Sequence, residues 1–171
     1  MADTQTLYKL IILYMLSKVD FPLTNAQISA LILEKEYTSY FVIQKSFAEL
    51  LESGYIMAKT THNQTQYRIT PKGQETLSFF SDKISDSIKE DIFHYLSENK
   101  ITMKEEVSRF AEYYKTTNHE YAARCLIKDN NATRLELTLA VPNQYMAKAI
   151  CENWTKKEED IYEYLLDLLI Q

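Results

Sequence analysis

The stretch 38–73 constrains the fold of this chain more than any other part of its sequence. Apolar side chains recur every three or four residues up to Gly54, a glycine placed where a helix can end in the left-handed conformation. Two alternating segments, 55–61 and 66–70, follow and flank a short polar turn. The order of these patterns predicts one helix followed by a β-hairpin.

A second helix is predicted just before this stretch. Thr24 and Gln27 have the spacing of a capping box, in which each side chain bonds the backbone N–H of the other residue. Residues 21–23 should be extended, since the residue before a proline avoids the α region. With a helix at 39–53 and the hairpin, these elements predict a helix-turn-helix with a β-hairpin wing, in a domain spanning 1–81.

The helix 39–53, the reading helix, is the part of this domain that we expect to contact DNA. Its core stripe is predicted to consist of Ile43, Phe47, Leu50 and Leu51. The opposite side then carries Tyr40, Gln44, Lys45 and Ala48. Gln and Lys side chains can bond base edges or phosphates, and a Tyr hydroxyl can bond a phosphate. Packing at the start of the helix is the alternative role for the tyrosine.

The sequence in this region resembles a known family pattern. Residues 47–56, FAELLESGYI, followed by the hairpin and by YRITPKG at 67–73, resemble the matching passage of bacterial winged-helix transcriptional regulators of the PadR and MarR type. Over its whole length the chain also resembles a bacterial family described as winged-helix transcriptional regulators. The resemblance implies a winged-helix fold and a regulatory role, and it implies no particular ligand or DNA target.

The resemblance also implies which residues contact DNA. Carried over by position, base and phosphate contacts fall on the reading helix at Ser39, Tyr40, Gln44 and Lys45. Minor-groove or phosphate contacts fall on the wing at Lys59, His62, Asn63 and Arg68. The sequence departs from the family pattern at the wing tip, because residues 62–65 include no Lys or Arg. Fewer phosphate contacts predict weaker and less salt-dependent binding.

The second half of the chain, 82–171, is predicted to form a dimerisation or sensing domain. It begins with a long amphipathic helix that ends near residue 99. Alternating patterns then predict a three-stranded antiparallel sheet at 105–115, 120–128 and 133–141. Two helices, 143–154 and 156–170, complete an α-βββ-αα module. The chain as a whole is therefore predicted to be an α+β protein that is mainly helical.

Both ends of the chain carry more apolar surface than a single helix face needs. The helix 4–18 is apolar nearly all round, and the apolar residues of the helix 156–170 span more than one face. A second subunit packed against one or both of these helices would cover that surface, so we expect a homodimer. For the helix 4–18, burial by its own chain is an equally good alternative.

Composition and motifs argue against an enzyme. Only 2 glycines occur, which excludes the glycine-lined phosphate loops of Walker and Rossmann sites. The 3 histidines are scattered, and neither HExxH nor CxxC spacing is present. We therefore expect no catalytic residue, no cofactor and no metal ligand.

Cysteine placement and hydropathy point to the cytoplasm. Cys125 and Cys151 are far apart in the sequence and lie among apolar neighbours, as buried thiols in a reducing compartment do. The apolar run 10–16 is too short to span a membrane, and no small-residue cleavage site follows it.

The charge distribution leaves two function classes open. The net charge is −5, and residues 1–80 carry 7 basic and 7 acidic side chains, so the excess acid lies in the second half. We expect a homodimeric transcriptional regulator that binds double-stranded DNA. The alternative is a winged-helix scaffold that binds proteins and not DNA, which the neutral first domain and the uncharged wing tip favour.

Aromatic residues of the second half allow one further expectation. The chain has 13 tyrosines, and a subset of the aromatics on different elements could line a small-molecule effector site: Tyr113, Tyr114, Tyr121, Tyr145 and Trp154. Packing in the core and at interfaces is the role that we favour for them.

Overall fold

The computed structural model describes residues 4–60, 64–129 and 132–171. In these residues the chain is an α+β protein, mainly helical, with two three-stranded antiparallel sheets. The elements in chain order are α1 (Thr4–Ser17), β1 (Leu23–Thr24), α2 (Asn25–Glu34), α3 (Tyr40–Glu52), β2 (Ile56–Thr60), β3 (Thr65–Ile69), α4 (Pro71–Phe80), α5 (Asp86–Ser108), β4 (Arg109–Lys115), β5 (Tyr121–Asp129), β6 (Ala132–Val141) and α6 (Gln144–Leu169). A single turn of 3-10 helix, Ser81–Lys83, follows α4.

The chain forms two compact units, Met1–Val107 and Ser108–Gln171. This division lies later than the predicted boundary between residues 81 and 82. The difference arises because α5 packs into the first unit, where Ile92, Leu96 and Met103 are buried in the same core cluster as α1.

Helix α1 forms the centre of the first unit. Six of its residues are buried: Leu10, Ile11, Ile12, Leu13, Met15 and Leu16. The helix contacts α3, α4 and β3, so its own chain covers the apolar surface that would otherwise call for a second subunit. Of the two alternatives that the sequence left open for this helix, burial by its own chain is the one observed.

The sheet of the first unit has the strand order β1-β3-β2. Ala58 lies opposite Tyr67, and the Tyr67 ring stacks on Phe47 of α3 with 4.5 Å between ring centroids. That contact defines the core face of the hairpin formed by β2 and β3. Because strand residues alternate between faces, Lys59 and Arg68 lie on the other face.

The predicted helix starts are confirmed at α2 and α4. Thr24 accepts a hydrogen bond from the Gln27 N–H at 3.1 Å, and the Gln27 side chain accepts one from the Thr24 N–H at 2.9 Å. Thr70 caps α4 by accepting from the Gly73 N–H at 3.1 Å, and Pro71 follows it as the first helical residue. These caps satisfy backbone donors that have no partner inside the helix.

Helices α2 and α3 end in the same way but with different residues. In each, the second residue after the last helical one has a positive φ, 53° at Glu36 and 76° at Gly54. The next residue then donates back to the helix, from Tyr37 to Ile32 at 3.0 Å and from Tyr55 to Leu50 at 3.0 Å. Both ends are Schellman motifs. Glycine is the residue usually found at the positive-φ position, and of the two ends only that of α3 has it.

Helix α5 is longer than predicted, and the first strand of the second unit is correspondingly shorter. The strand was expected to begin at residue 105, but residues 105–108 are helical and β4 begins at Arg109. Met103 and Val107 are buried and continue the helical spacing of the buried residues Ile92 and Leu96. Burial of this stripe in the first unit favours helix over the local alternating pattern.

The last helix is also continuous, which corrects the prediction of two helices separated at Thr155. Helix α6 runs from Gln144 to Leu169. Its buried residues are Ala147, Cys151, Trp154 and Glu158, whose spacing of three or four residues passes through Thr155 without a break. The stripe keeps one register across the predicted boundary, so the potential cap at Thr155 lies inside the helix.

In the second unit, α6 covers one face of the sheet β4-β5-β6. Trp154 lies with Cys125 and Ile127 in one buried cluster, and its indole N–H donates to the Leu126 carbonyl at 3.3 Å. On the opposite face, the Arg124 guanidinium lies between Glu136 and Glu112, at 2.8 and 3.3 Å. The three-stranded antiparallel sheet that the sequence predicted is therefore present.

Candidate nucleic-acid interface

The turn before α3 is attached to two other helices of the first unit. The Tyr37 hydroxyl donates to the Asp91 carboxylate of α5, and Lys35 lies 3.6 Å from the same carboxylate. Tyr8 of α1 donates to the Tyr37 carbonyl at 2.9 Å. Burial, together with the bond to Asp91, raises the pKa of Tyr37, and the bond from Tyr37 lowers the pKa of Asp91. These contacts fix the position at which α3 begins.

Ser39 and Gln44, two of the predicted DNA contacts, have partners within the chain. Ser39 is the N-cap of α3 and accepts from the Val42 N–H at 3.4 Å. The Gln44 amide forms a reciprocal pair with the Asn25 amide of α2, with bonds of 2.7 and 2.9 Å. Gln44 thereby ties α3 to the start of α2, and base contact by its amide would require this pair to open.

The exposed side of α3 differs by about one residue position from the predicted side. Ser46 is completely buried, whereas Leu51, which was expected in the core, is 37% exposed. The outward face therefore consists of the exposed residues at positions i, i+4, i+7 and i+11, namely Phe41, Lys45, Ala48 and Glu52. Phe41 is 77% exposed and Tyr40, on the flank of this face, is 59% exposed.

Two residues of this face, Phe41 and Glu52, were not predicted from the sequence, and Phe41 is the one suited to contact a partner. An apolar side chain inside a helix is ordinarily assigned to the core, so the aromatic ring was not considered for contact with a partner. Its position four residues before Lys45 was the available signal, because residues at i and i+4 share one side of a helix. Phe41 and Lys45 therefore lie on the same side of α3 and would contact the same partner.

An acidic residue on the other flank of α3 is paired with α1. The Glu49 carboxylate forms an ion pair with Lys9 and accepts from the Gln5 amide at 2.9 Å. The hydrogen bond from Lys9 lowers the pKa of Glu49, and the charge of Lys45 acts in the same direction. Pairing with Lys9 reduces the repulsion that this carboxylate would exert on a phosphate.

The hairpin supplies two further exposed cations. Lys59 of β2 and Arg68 of β3 lie on the face of the sheet that points away from the core. Met57, opposite Arg68, is 60% exposed on the same face. The predicted contacts His62 and Asn63 lie outside the described residues.

The aromatic residues proposed for an effector site do not form one common lining. Tyr113 and Tyr121 pack against one cluster of the second unit and Trp154 is buried in another. Tyr114 lies opposite Ala122, on the other face of the sheet from Tyr113. Tyr145, at the start of α6, is 82% exposed.

Other reactive groups of the described residues are separated or buried. His94 contacts the Phe93 ring edge-on, and His119 lies in the β4–β5 turn with a φ of 61°. Burial raises the pKa of the Cys125 thiol to about 12, and it raises the pKa of Cys151 as well. Within 4–60, 64–129 and 132–171, no three His, Cys, Asp or Glu side chains come together as a metal site requires. No helix in that part of the chain is both long and apolar enough to cross a membrane.

Comparison with known proteins gives a family and no named relative. No curated protein and no solved structure matches the chain. The sequence matches the family model described as a domain of unknown function, DUF4364, over residues 8–169. That match extends from α1 to the last residue of α6 and so includes both compact units. The chain belongs to the DUF4364 family.

Proposed function

We propose that this protein is a cytoplasmic, DNA-binding transcriptional regulator that acts as a homodimer. In this proposal the first unit is a winged helix-turn-helix, with α3 in the major groove and the β2–β3 hairpin beside it as the wing. Two observations support that fold. The elements β1, α2, α3, β2 and β3 follow one another in its order, and the strands pair as β1-β3-β2.

The observation that carries the proposal is the way in which α3 is held. Ile43, Phe47 and Leu50 are buried, and contacts from α1, α2 and β2 surround that side of the helix. The opposite side presents Phe41 and Lys45 to solvent in the first two turns. A helix supported on one side and exposed at its N-terminal half is what insertion into a groove requires.

The charges near α3 support modest affinity for phosphates. Lys45, Lys59 and Arg68 are exposed, while Glu49 is paired with Lys9. Three cations per chain can neutralise only a few phosphates, so binding by one chain should be weak at physiological salt. Two chains bound to adjacent half-sites would gain affinity because the second contact is effectively intramolecular.

The apolar end of α6 supports pairing of two chains. Five residues there are exposed: Tyr164, Leu166, Leu168, Leu169 and Ile170. Burial of such surface between two copies would be favourable. We therefore assign dimerisation to α6 and not to α1, whose apolar side chains are covered within the first unit. Sedimentation of wild type and of Leu169→Asp tests this assignment, and it fails if both sediment as the same species.

Titration of the purified protein with fluorescent duplexes tests DNA binding. The duplexes are a random-sequence pool and the DNA upstream of the protein's own gene, each at 50 and 200 mM salt. Lys45→Ala should weaken binding and lower the salt slope by about 2 for a bound dimer, as expected for the loss of one phosphate contact in each chain. Lys148→Ala is the matched control, because this exposed lysine lies on α6, outside the proposed DNA-contacting elements, and pairs with Glu152 at 3.9 Å. Absence of binding to every duplex at low salt would refute the proposal.

A second candidate function, a protein-binding scaffold, is favoured by one observation. Tyr40 and Phe41 expose adjacent aromatic rings at the start of α3, and exposed aromatics are common at the centres of protein interfaces. The same titration separates the two candidates. A folded protein that binds none of the duplexes, and whose Lys45→Ala variant behaves as wild type, would favour the scaffold.

A further inference from the structure

From Phe41 to Ala48 the outward face of α3 is mostly apolar, with Glu52 following at its C-terminal end, and this limits what the face can recognise in DNA. Phe41 and Ala48 flank the single cation Lys45 on this face. The polar groups with which a recognition helix usually reads bases are engaged elsewhere, since Ser39 caps the helix and Gln44 pairs with Asn25. Phe41 is also the most exposed large apolar residue of α3, at 77%.

Only one group in the major groove is apolar. Each base pair presents hydrogen-bond donors and acceptors there, and thymine adds a C5-methyl group. Phe and Ala side chains contact that methyl, whereas Lys bonds the O6 and N7 atoms of guanine or a phosphate. The face of α3 is therefore complementary to a stretch of major groove in which thymine methyl groups lie on either side of a guanine or a phosphate that Lys45 can bind.

We propose that α3 recognises duplex DNA through thymine methyl groups, with Phe41 as the main specificity-determining residue and Ala48 as a second contact. The inference rests on the proposed DNA-binding function and adds the chemical class of the target. The charges favour DNA as the occupant of this face. Lys45 is exposed on α3 seven residues before the acidic Glu52, Lys59 and Arg68 are exposed on the hairpin, and Glu49 is paired with Lys9.

The spacing of the two apolar residues gives the expected spacing of the thymines. Phe41 and Ala48 are separated by two helical turns, about 10 Å along the axis of α3. Base pairs follow one another about every 3.4 Å along the duplex, so the two contacts are about three base-pair steps apart. Each half-site should therefore contain thymines about three steps apart, with a guanine or a contacted phosphate between them.

The test compares two random duplex pools of identical length, one made with thymidine and one with deoxyuridine, which lacks only the C5-methyl group. Wild type should bind the thymidine pool more tightly, by about fourfold for each methyl contact. When both half-sites lose their methyl groups, the expected loss is roughly tenfold or more. Phe41→Ala should lose the larger part of this preference and keep only the smaller part that the Ala48 contact supplies.

Phe79→Ala is the matched control, because Phe79 is 71% exposed on α4 of the same unit and is not part of the outward face of α3. It should keep the full preference for thymidine. The Phe41→Ala variant separates methyl contact from an effect of deoxyuridine on duplex shape, since a preference for duplex shape would persist undiminished in that variant.

Three results would overturn the inference. Equal wild-type affinity for the two pools would refute thymine-methyl recognition and leave the proposed DNA-binding function intact. A thymidine preference as large in Phe41→Ala as in wild type would refute the assignment to Phe41. Absence of binding to either pool would remove both the inference and the proposed function.

Discussion

Replacement of Gly73 by alanine should destabilise the first unit much more than the same change at Gly54. A Cβ at Gly73 would lie 2.1 Å from the Tyr55 carbonyl oxygen and 3.0 Å from Cγ1 of Ile69. Carbon atoms pack at about 3.5–4.0 Å, so α4 and the Tyr55 backbone would have to separate by about 1 Å or more. The same oxygen accepts a hydrogen bond from the Thr70 N–H at 3.0 Å, and that bond would be weakened by the movement.

The size of the effect follows from three contributions. Overpacking costs about 1–3 kcal/mol, and loss of a backbone hydrogen bond costs about 1 kcal/mol. The higher helix propensity of alanine offsets about 1 kcal/mol. The sum is about 1–3 kcal/mol, and because the 2.1 Å approach is to a backbone atom, we expect Gly73→Ala to lower the free energy of unfolding by an amount in the upper part of this range, about 2–3 kcal/mol.

Gly54 provides the comparison because its strain has a different origin. Its φ is 76°, but an added Cβ would meet no heavy atom within 4 Å. Alanine in the left-handed region costs about 1–2 kcal/mol, and its smaller entropy loss on folding offsets part of this. Gly54→Ala should therefore lower the free energy of unfolding by about 1 kcal/mol.

Urea unfolding followed by circular dichroism measures both variants, with the slopes compared to confirm that the same surface becomes exposed. A Gly73→Ala variant no less stable than Gly54→Ala would refute the packing argument. It would show that α4 can move away from Tyr55 at little cost.

Three further predictions concern conformation and ionisation. Glu36→Gly should raise the free energy of unfolding by about 0.5–1 kcal/mol, because Glu36 has a φ of 53°; an unchanged or lower urea midpoint would contradict this. Because the pKa of Tyr37 is raised in the folded protein, the neutral hydroxyl contributes to stability below about pH 10. This contribution is lost as the pH rises further. The loss of stability above pH 10 should thus be smaller in Tyr37→Phe, and identical pH profiles of the urea midpoint would exclude the effect. The Cys125 and Cys151 thiols, whose pKa values are raised by burial, should react with a disulfide reagent at pH 8 only in denaturant, and rapid reaction of the native protein would contradict their burial.

Local signals in the sequence predicted the elements whose geometry depends on near neighbours. The capping box at Thr24 and the Thr70–Pro71 helix start each use residues within three positions of one another, so their chemistry is visible in the sequence. The glycine at position 54 likewise marks the end of α3, because few other residues adopt the left-handed conformation.

Features that depend on distant packing were not predicted. Ser46 is buried because the surrounding helices enclose that side of α3. The exposed face therefore lies about one residue position away from the predicted one and includes Phe41. A polar residue in the core and an aromatic residue in solvent both run against the hydrophobic pattern. Likewise, nothing local to Gln44 indicates that its amide pairs with Asn25, nineteen positions away.

The attachment of Gln27 to the end of α5 determines how the chain can be shortened. The Gln27 side chain donates to Glu106 at 2.6 Å, and Tyr95 donates to the Gln27 carbonyl at 2.9 Å. A fragment of residues 1–81 would lose these partners along with the apolar cover that α5 supplies, so it should melt at lower temperature than a fragment of residues 1–107 when both are followed by circular dichroism. Independent folding of the first unit thus depends on a helix outside the predicted domain 1–81, and a minimal fragment for the DNA titration should end no earlier than Val107.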